Sequence, residues 1–201
     1  TMADIVYDFE GGLYLNITND CPCDCVFCIR NKVNEIGTEN SMWHNKAPSF
    51  DEIKKAIDSV DMSKYTEAVF CGYGEPTCAY DNLIKSARYI KEKYGLKIRL
   101  NTNGLGCLVN GRDITKELCS VVDTVSISLN APNAERYLQI TRSKFGIGSF
   151  DAIIDFAKKC VEYHDDVRMT VVDILKDEEI KECEKIAKNL GVKFRSREYI
   201  D

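Results

Sequence analysis

The sequence predicts an α/β fold in which parallel β-strands alternate with helices within a single domain over residues 1–201. Short apolar segments of the strand type recur between longer segments whose apolar residues have helical spacing. This order implies that each strand is joined to the next parallel strand by a crossover helix. Polar and apolar residues also alternate within several strands, which indicates that helices do not cover one face of the sheet.

Six strands and five helices are expected along the chain. The expected strands are Leu13 to Thr18, Ala68 to Cys71, Lys97 to Asn101, Thr124 to Leu129, Val167 to Val172 and Val192 to Ser196. The expected helices are Phe50 to Val60, Asn82 to Tyr94, Ile114 to Val121, Phe150 to Tyr163 and Glu178 to Leu190. Candidate caps near the helix starts are Asp51, Asp81, Asp113 and Asp177. An extra N-terminal strand is expected over residues 4–9, turning at Gly11-Gly12 into the first of the six.

Polar side chains share one face on three of these strands and on the residues that follow them. They are Tyr14, Asn16 and Thr18, then Arg99, Asn101 and Asn103, then Ser126, Ser128 and Asn130. A polar face must meet water or a ligand. Curling the sheet places that face inside a partial (β/α)6 TIM-like barrel, whose site lies at the carboxyl ends of the strands. The alternative, an open sheet with one solvated face, leaves five helices less surface to pack against.

Composition and charge restrict the class of protein. The chain is 44% hydrophobic with a net charge of -5, so a contact with nucleic acid would be local and not a basic surface. No apolar stretch reaches the roughly 18 residues of a membrane span, and no signal peptide is visible at the start. Ten cysteines without export point to a reducing compartment. We therefore expect a cytoplasmic domain.

A cysteine-rich run follows the first of the six strands. Cys21, Cys25 and Cys28 have the spacing C-x3-C-x2-C, which suits three thiolates that hold one iron-sulfur cube from a single loop. Three ligands for four irons leave one iron open. A structural zinc is the alternative, although zinc sites usually draw ligand pairs from two separate knuckles. Disulfides are a weaker alternative, because a chain of this size builds its own core. Cys23 falls outside the spacing and is interpreted as a spare.

A second short motif, Tyr73-Gly74-Glu75-Pro76, follows the next apolar strand. Together the two motifs resemble those of the radical S-adenosylmethionine (radical SAM) superfamily. The resemblance implies a 4Fe-4S cluster on Cys21, Cys25 and Cys28, with S-adenosylmethionine chelating the open iron. It implies an enzyme of the oxidoreductase class that reductively cleaves this cofactor to a 5'-deoxyadenosyl radical. The radical then abstracts hydrogen from an unidentified substrate or a partner protein.

The resemblance also implies cofactor contacts, position by position. Phe27, before the last cluster cysteine, would lie against the adenine. Gly74, Glu75 and Pro76 match the motif that meets the methionine end, where Tyr73 replaces a first glycine. The further candidates are Asn101, Ser128, Asn130 and Arg142. The alternatives are ordinary ones: a core aromatic for Phe27, local backbone bonding for the serine and asparagines, and a solvated loop arginine.

The segments Cys28-Ile29-Arg30-Asn31 and Cys71 to Thr77 resemble, more narrowly, the TatD-associated radical SAM proteins. That resemblance implies a TatD-type hydrolase as a partner, beside an electron donor such as flavodoxin or ferredoxin. It defines no substrate. The alternative function is an iron-sulfur or zinc-carrying binding module that assists such a hydrolase.

Two further expectations concern ligands. Arg99 shares a strand face with Asn101, while Lys193, Arg195 and Arg197 share one face of the last strand, which favours an anionic substrate group. Cations that protect an exposed sheet edge are the alternative. Gly74 is expected to lack a side chain because the methionine end of the cofactor approaches it closely.

Overall fold

The computed structural model describes residues 3–36 and 40–199. Within them, seven strands form one sheet in sequence order. The strands are β1 (Val6–Phe9), β2 (Gly12–Leu15), β3 (Glu67–Phe70), β4 (Lys97–Thr102), β5 (Thr124–Ser128), β6 (Val167–Val172) and β7 (Lys193–Arg197). Strands β2 to β7 are parallel, and β1 pairs antiparallel with β2. The sheet is open, as a partial barrel requires, and the predicted fold class is confirmed.

Seven α-helices accompany the sheet in the described residues. They are α1 (Phe50–Asp58), α2 (Tyr80–Tyr94), α3 (Gly106–Asn110), α4 (Thr115–Val121), α5 (Ala134–Thr141), α6 (Ser149–Tyr163) and α7 (Asp177–Leu190). The five expected helices are present with bounds shifted by a few residues. Helices α3 and α5 were not predicted. None of the described helices is both long enough and apolar enough to cross a bilayer.

Three of the four cap predictions were wrong, because Asp51, Asp81 and Asp177 lie inside the first turn of their helices. Helix α1 begins after Ser49, whose hydroxyl accepts from the Glu52 amide in a capping box. Asp81 and Asp177 lie inside the first turn, where a negative charge still favours the helix dipole. Only Asp113 has a capping role, since its carboxylate accepts from the main-chain amide at position 115 at 2.9 Å.

The N-terminal hairpin has the expected strand and a turn shifted by one residue. Glu10 and Gly11 form the turn, with φ of 51° and 76°. Two positive φ values suit the tight turns that match the twist of antiparallel strands. Gly12 is already in β2, where it pairs with Phe9.

The two faces of the sheet differ as the alternation predicts. The outer face packs against the helices in one hydrophobic core, which includes Leu15, Phe70 and Leu100. We call the opposite face, which carries Tyr14, Arg99, Asn101, Ser126, Ser128 and Thr170, the inner face. Near β1 a small apolar cluster covers it, whereas from β4 to β7 its side chains are largely polar. The carboxyl ends of the parallel strands therefore open onto a polar concavity.

Candidate active site

The cysteine loop, residues 19–28, leaves the carboxyl end of β2 and is anchored by the end of helix α5. The amide of Asp24 donates to the carbonyl of Thr141, and the amide of Val26 donates to that of Ile140, both at 2.9 Å. The last carbonyls of a helix have no partner within it, so they are available to a neighbouring loop. Sequence reasoning missed this anchor because it missed α5, although Asn133 is a good capping residue.

The thiols of the loop lie in two environments. Cys21, Cys25 and Cys28 are half-buried, whereas Cys23 is buried in the hydrophobic core. Just beyond β4, the side-chain amide nitrogen of Asn103 lies 3.9 Å from the Cys21 sulfur and 4.0 Å from the Cys23 sulfur. Contact with Cys23, and then burial, raises the pKa of the Cys21 thiol, and burial raises that of Cys28. Binding of a metal group must therefore release protons.

The donor set is compatible with an iron-sulfur cluster held from one loop. Within residues 3–36 and 40–199, no three His, Cys, Asp or Glu side chains close around one ion-sized point. A tetrahedral zinc site needs that convergence. An iron-sulfur cube takes its thiolates at separate corners, so half-buried thiols spread along one loop are compatible with it. The ligand roles of Cys21, Cys25 and Cys28 stay a prediction.

Gly74 is tight against the protein's own main chain. A Cβ atom at this position would lie 2.2 Å from the Thr18 carbonyl oxygen and 2.8 Å from that of Asp20. The next amide, of Glu75, donates to the same Asp20 carbonyl at 2.7 Å. The bare glycine is thus required by contact with the cysteine loop. The protein's own main chain excludes a side chain here, and the expected close approach of the cofactor to Gly74 stays a prediction.

The Glu75 carboxylate is buried and points at β4. It accepts from the Asn103 amide at 2.8 Å, from the Thr102 hydroxyl at 2.7 Å, and from both the amide and the hydroxyl of Thr77. Burial raises the pKa of Glu75, while these four donors act in the opposite direction. The side chain therefore joins the loops after β3 and β4. Pro76 is buried as well.

Arg30 donates hydrogen bonds to the main chain of both motifs. Its guanidinium donates to the carbonyls of Asn19, Cys23 and Tyr73 at 3.2 to 3.4 Å and lies over the Trp43 ring. A planar fork of this kind can reach several acceptors at once. Sequence reasoning gave Arg30 no role of its own, since carbonyl acceptors leave no signal in a sequence.

Tyr73 fills the place of the first glycine with a packed ring. The ring is buried, 5.0 Å from that of Trp43, and its hydroxyl donates to the Val33 carbonyl. Its amide donates to the Asn16 side chain at 3.1 Å. Burial raises the pKa of Tyr73 to about 12. The structure thus gives this side chain a packing role.

Asn101 and Asn130 offer polar atoms without protein partners. The side-chain oxygen of each is buried and accepts no hydrogen bond in the described part of the chain. Asn130 has a left-handed backbone, with φ of 60°, directly beyond β5, and Ser128 ends that strand half-buried. Buried polar atoms usually have partners. These three residues remain candidates for contact with a cofactor or substrate.

The other two candidate contacts, Phe27 and Arg142, lie in the cysteine loop and at the end of α5. Phe27 is half-buried against the hydrophobic core, so its predicted contact with adenine is not decided by its packing. Arg142 ends helix α5 in a left-handed conformation, with 60% of its side chain exposed, and pairs with Asp24 at 3.4 Å. This placement does not support Arg142 as a cofactor contact, because α5 carries it to the outer rim of the cysteine loop.

A partial α/β barrel with a thiol-rich loop at its carboxyl-end rim defines a class of cofactor-dependent enzymes. A family model described as the Radical SAM superfamily matches residues 15–190, and the chain belongs to that superfamily. The superfamily uses a 4Fe-4S cluster and S-adenosylmethionine as cofactors.

Several curated proteins and solved structures are similar to this chain. A probable dual-specificity RNA methyltransferase RlmN of Dictyoglomus turgidum is 29% identical over 118 residues, which cover 57% of this chain and 32% of that protein. The corresponding protein of Clostridium acetobutylicum is 25% identical over 193 residues, covering 92% and 51%. The chain thus spans a third to a half of these relatives' length.

The solved structures bear on the fold. A radical SAM methyltransferase from Sphaerobacter thermophilus has a TM-score of 0.69 at 16% identity, covering 95% of this chain and 57% of that one. The structure of anSMEcpe with bound AdoMet has a TM-score of 0.60 at 15% identity, covering 94% and 51%. The family model shows the superfamily, the solved structures show the fold, and the TatD-associated subgroup is not supported. The comparisons do not support the oxidoreductase class either, since the curated relatives are named as methyltransferases.

Proposed function

We propose that this radical SAM enzyme abstracts a hydrogen atom from a substrate held on the inner face, with Cys21, Cys25 and Cys28 as the cluster ligands. When bound, the cluster and S-adenosylmethionine together supply the one-electron chemistry that generates a 5'-deoxyadenosyl radical. The observation that carries the proposal is the direct bonding of the two motif loops to each other at the mouth of the polar face.

The protein's own residues prepare this site. Arg30 and Glu75 fix the loops relative to one another, so little rearrangement is needed when a cofactor binds. The unpartnered oxygens of Asn101 and Asn130 supply acceptors suited to an ammonium or hydroxyl group. The inner face then presents a substrate to the same opening while the outer core excludes water from the opposite side.

Anaerobic reconstitution with iron and sulfide, followed by reduction with dithionite, tests the proposal. The chain should gain the visible absorbance of an iron-sulfur cluster and convert S-adenosylmethionine into 5'-deoxyadenosine. A binding module that only assists a hydrolase would hold metal without this cleavage. Deuterium transfer from candidate substrates into 5'-deoxyadenosine would then identify the substrate.

Methyl transfer to RNA is the second candidate function, favoured by the names of the curated relatives. Incubation with methyl-labelled S-adenosylmethionine and total RNA separates it from the first, because only methyl transfer labels the RNA.

The partners are proposed on the resemblance alone. A flavodoxin or ferredoxin would deliver the electron, and a TatD-type hydrolase would associate with the chain if it belongs to the narrower subgroup. Support of 5'-deoxyadenosine formation by reduced flavodoxin, and co-purification with such a hydrolase, test the two partners separately.

A further inference from the structure

Cations on the inner face from β4 to β7 divide into paired and unpaired ones. Arg99 donates to Glu67 at 3.2 Å. Arg168 and Lys193 both bond to Asp166, each at 2.9 Å. The counter-ions of these three side chains lie at the amino-terminal ends of the strands, Glu67 at the start of β3 and Asp166 just before β6.

Arg195 and Arg197 are different. Neither side chain has an ion pair or hydrogen bond with another residue in the described ranges 3–36 and 40–199. Arg195 is exposed, whereas Arg197 is half-buried and its Nε, like that of Arg99, is fully buried without an acceptor. Arg99 has a counter-ion in Glu67, whereas Arg197 has none in the described residues. A guanidinium nitrogen that loses water without gaining an acceptor is unfavourable, so a missing ligand is the simplest explanation at Arg197.

Arg197 lies on β7 two residues after Arg195, opposite Val172 of β6, so both arginines belong to the inner face. The charge of Arg197, like that of Arg99, acts to lower the pKa of Cys71, directly after β3, although burial raises that pKa overall. Cys71 follows Val69 by two residues and packs against the small apolar cluster near β1, so it lies on the inner face. On the same face, the side-chain oxygen of Asn101 has no partner in the described part of the chain.

The register places further polar groups beside the arginines. Ser128, Thr170 and Arg195 are paired across β5, β6 and β7, so their side chains share one row of the inner face. Asn101 lies two residues before Asn103, whose side-chain amide nitrogen is 3.9 Å from the Cys21 sulfur. The unpaired arginines thus lie on the same concave surface as the proposed cofactor site, toward β7.

We propose that Arg197 and Arg195 bind an oxyanion of the substrate, a carboxylate or a phosphate, with Ser128 and Thr170 as hydroxyl donors. A guanidinium fork matches either oxyanion in a bidentate arrangement. The description of this ligand as the substrate rests on the proposed function. The existence of the anion site does not, because binding is measurable without the reaction.

Isothermal titration calorimetry tests the site with two matched pairs of probes. Uridine monophosphate is compared with uridine, and succinate with succinamide, on the chain as purified and again after cluster reconstitution. At least one anion should bind more tightly than its neutral match, and added salt should weaken that binding. Arg197→Gln should weaken it about tenfold or more, as expected for loss of a charged hydrogen-bond donor. Arg88→Gln, which removes a charge from the exposed side of α2, should leave it unchanged.

The outcomes are distinct. Binding of the phosphate alone or of the carboxylate alone identifies the group, and binding of both supports a general oxyanion site. Equal binding of neutral and charged probes, or equal losses in Arg197→Gln and Arg88→Gln, overturns the proposal. If thermal denaturation shows that Arg197→Gln does not fold, Arg197→Lys and Arg195→Gln carry the same comparison. Failure of the wild type to cleave S-adenosylmethionine would count against the proposed function and leave the anion measurement intact.

Discussion

The two halves of the inner face and its rim differ in how their polar groups are satisfied. From β2 to β4, the loops bond to each other: Glu75 accepts four hydrogen bonds, and Arg30 donates to three carbonyls. From β5 to β7, within the described residues, Asn130 and Arg197 keep buried polar atoms without partners. The loops of the first half are bonded within the protein, although Arg99 and Asn101 of β4 also keep a buried polar atom without a partner. Among the described residues, the second half has no such loop network and lacks bonds that a ligand can supply.

This contrast distinguishes the part of the site that holds the cysteine loop in place from the part that recognises a substrate. A loop that must keep three thiols in position benefits from internal hydrogen bonds, because they reduce the ordering needed on binding. A surface that recognises a substrate needs free donors and acceptors. We therefore expect substitutions in the first half to reduce stability or cofactor loading, and substitutions in the second half to reduce ligand affinity.

The largest effect is expected at the cysteines. Cys21→Ala, Cys25→Ala and Cys28→Ala should each abolish cluster loading, because each removes a proposed ligand. Iron and sulfide content after anaerobic reconstitution measures this. Cys23→Ala is the control and should keep the cluster, since Cys23 is buried in the core. Loss of iron in Cys23→Ala together with retention in Cys21→Ala would contradict the ligand assignment.

Gly74→Ala should destabilise the chain by about 3 kcal/mol or more, since the new methyl would lie 2.2 Å from the Thr18 carbonyl oxygen. Urea denaturation of the metal-free chain measures the free energy of unfolding. Gly148→Ala is the matched control, because no atom lies within 4 Å of its added Cβ, and it should change stability by less than about 1 kcal/mol. If Gly74→Ala kept full stability and lost only affinity for S-adenosylmethionine, the cofactor would be the reason for the glycine.

Glu75→Gln should cost about 3 kcal/mol of stability, because the amide presents hydrogens where four donors point at a carboxylate. The same urea denaturation applies, with the exposed Glu92→Gln on α2 as the control, expected within about 0.5 kcal/mol of the wild type. A stable Glu75→Gln chain would mean that the loops after β3 and β4 are held by other contacts.

The smallest effect is expected for Arg142→Gly. The exposed pair with Asp24 contributes little, and glycine suits the φ of 49°, so stability should change by less than about 0.5 kcal/mol. Affinity of the reconstituted protein for S-adenosylmethionine, measured by calorimetry, should not change. A tenfold loss of that affinity would restore the cofactor role expected for Arg142 from the sequence.

The strands could be predicted because their signal is local. Alternation of polar and apolar residues identified Lys97 to Asn101 and Thr124 to Leu129 to within a residue. Helix α5 was missed because it is short and its apolar positions are few, so its stability depends on packing against α6. The cap predictions at Asp51, Asp81 and Asp177 were wrong because an aspartate favours both the cap and the first turn.

The sequence by itself determined the superfamily, the parallel sheet and the cysteine spacing, because each depends on residues that are close in the chain. Tertiary structure alone decided what surrounds those residues. Arg30 reaches Tyr73 across 43 positions, and Glu75 reaches Asn103 across 28. Likewise, Arg195 comes to share a row with Ser128 and Thr170 only when β5, β6 and β7 pair in one sheet. Hydrogen bonds between distant residues, often to main-chain carbonyls, leave no pattern in a single sequence.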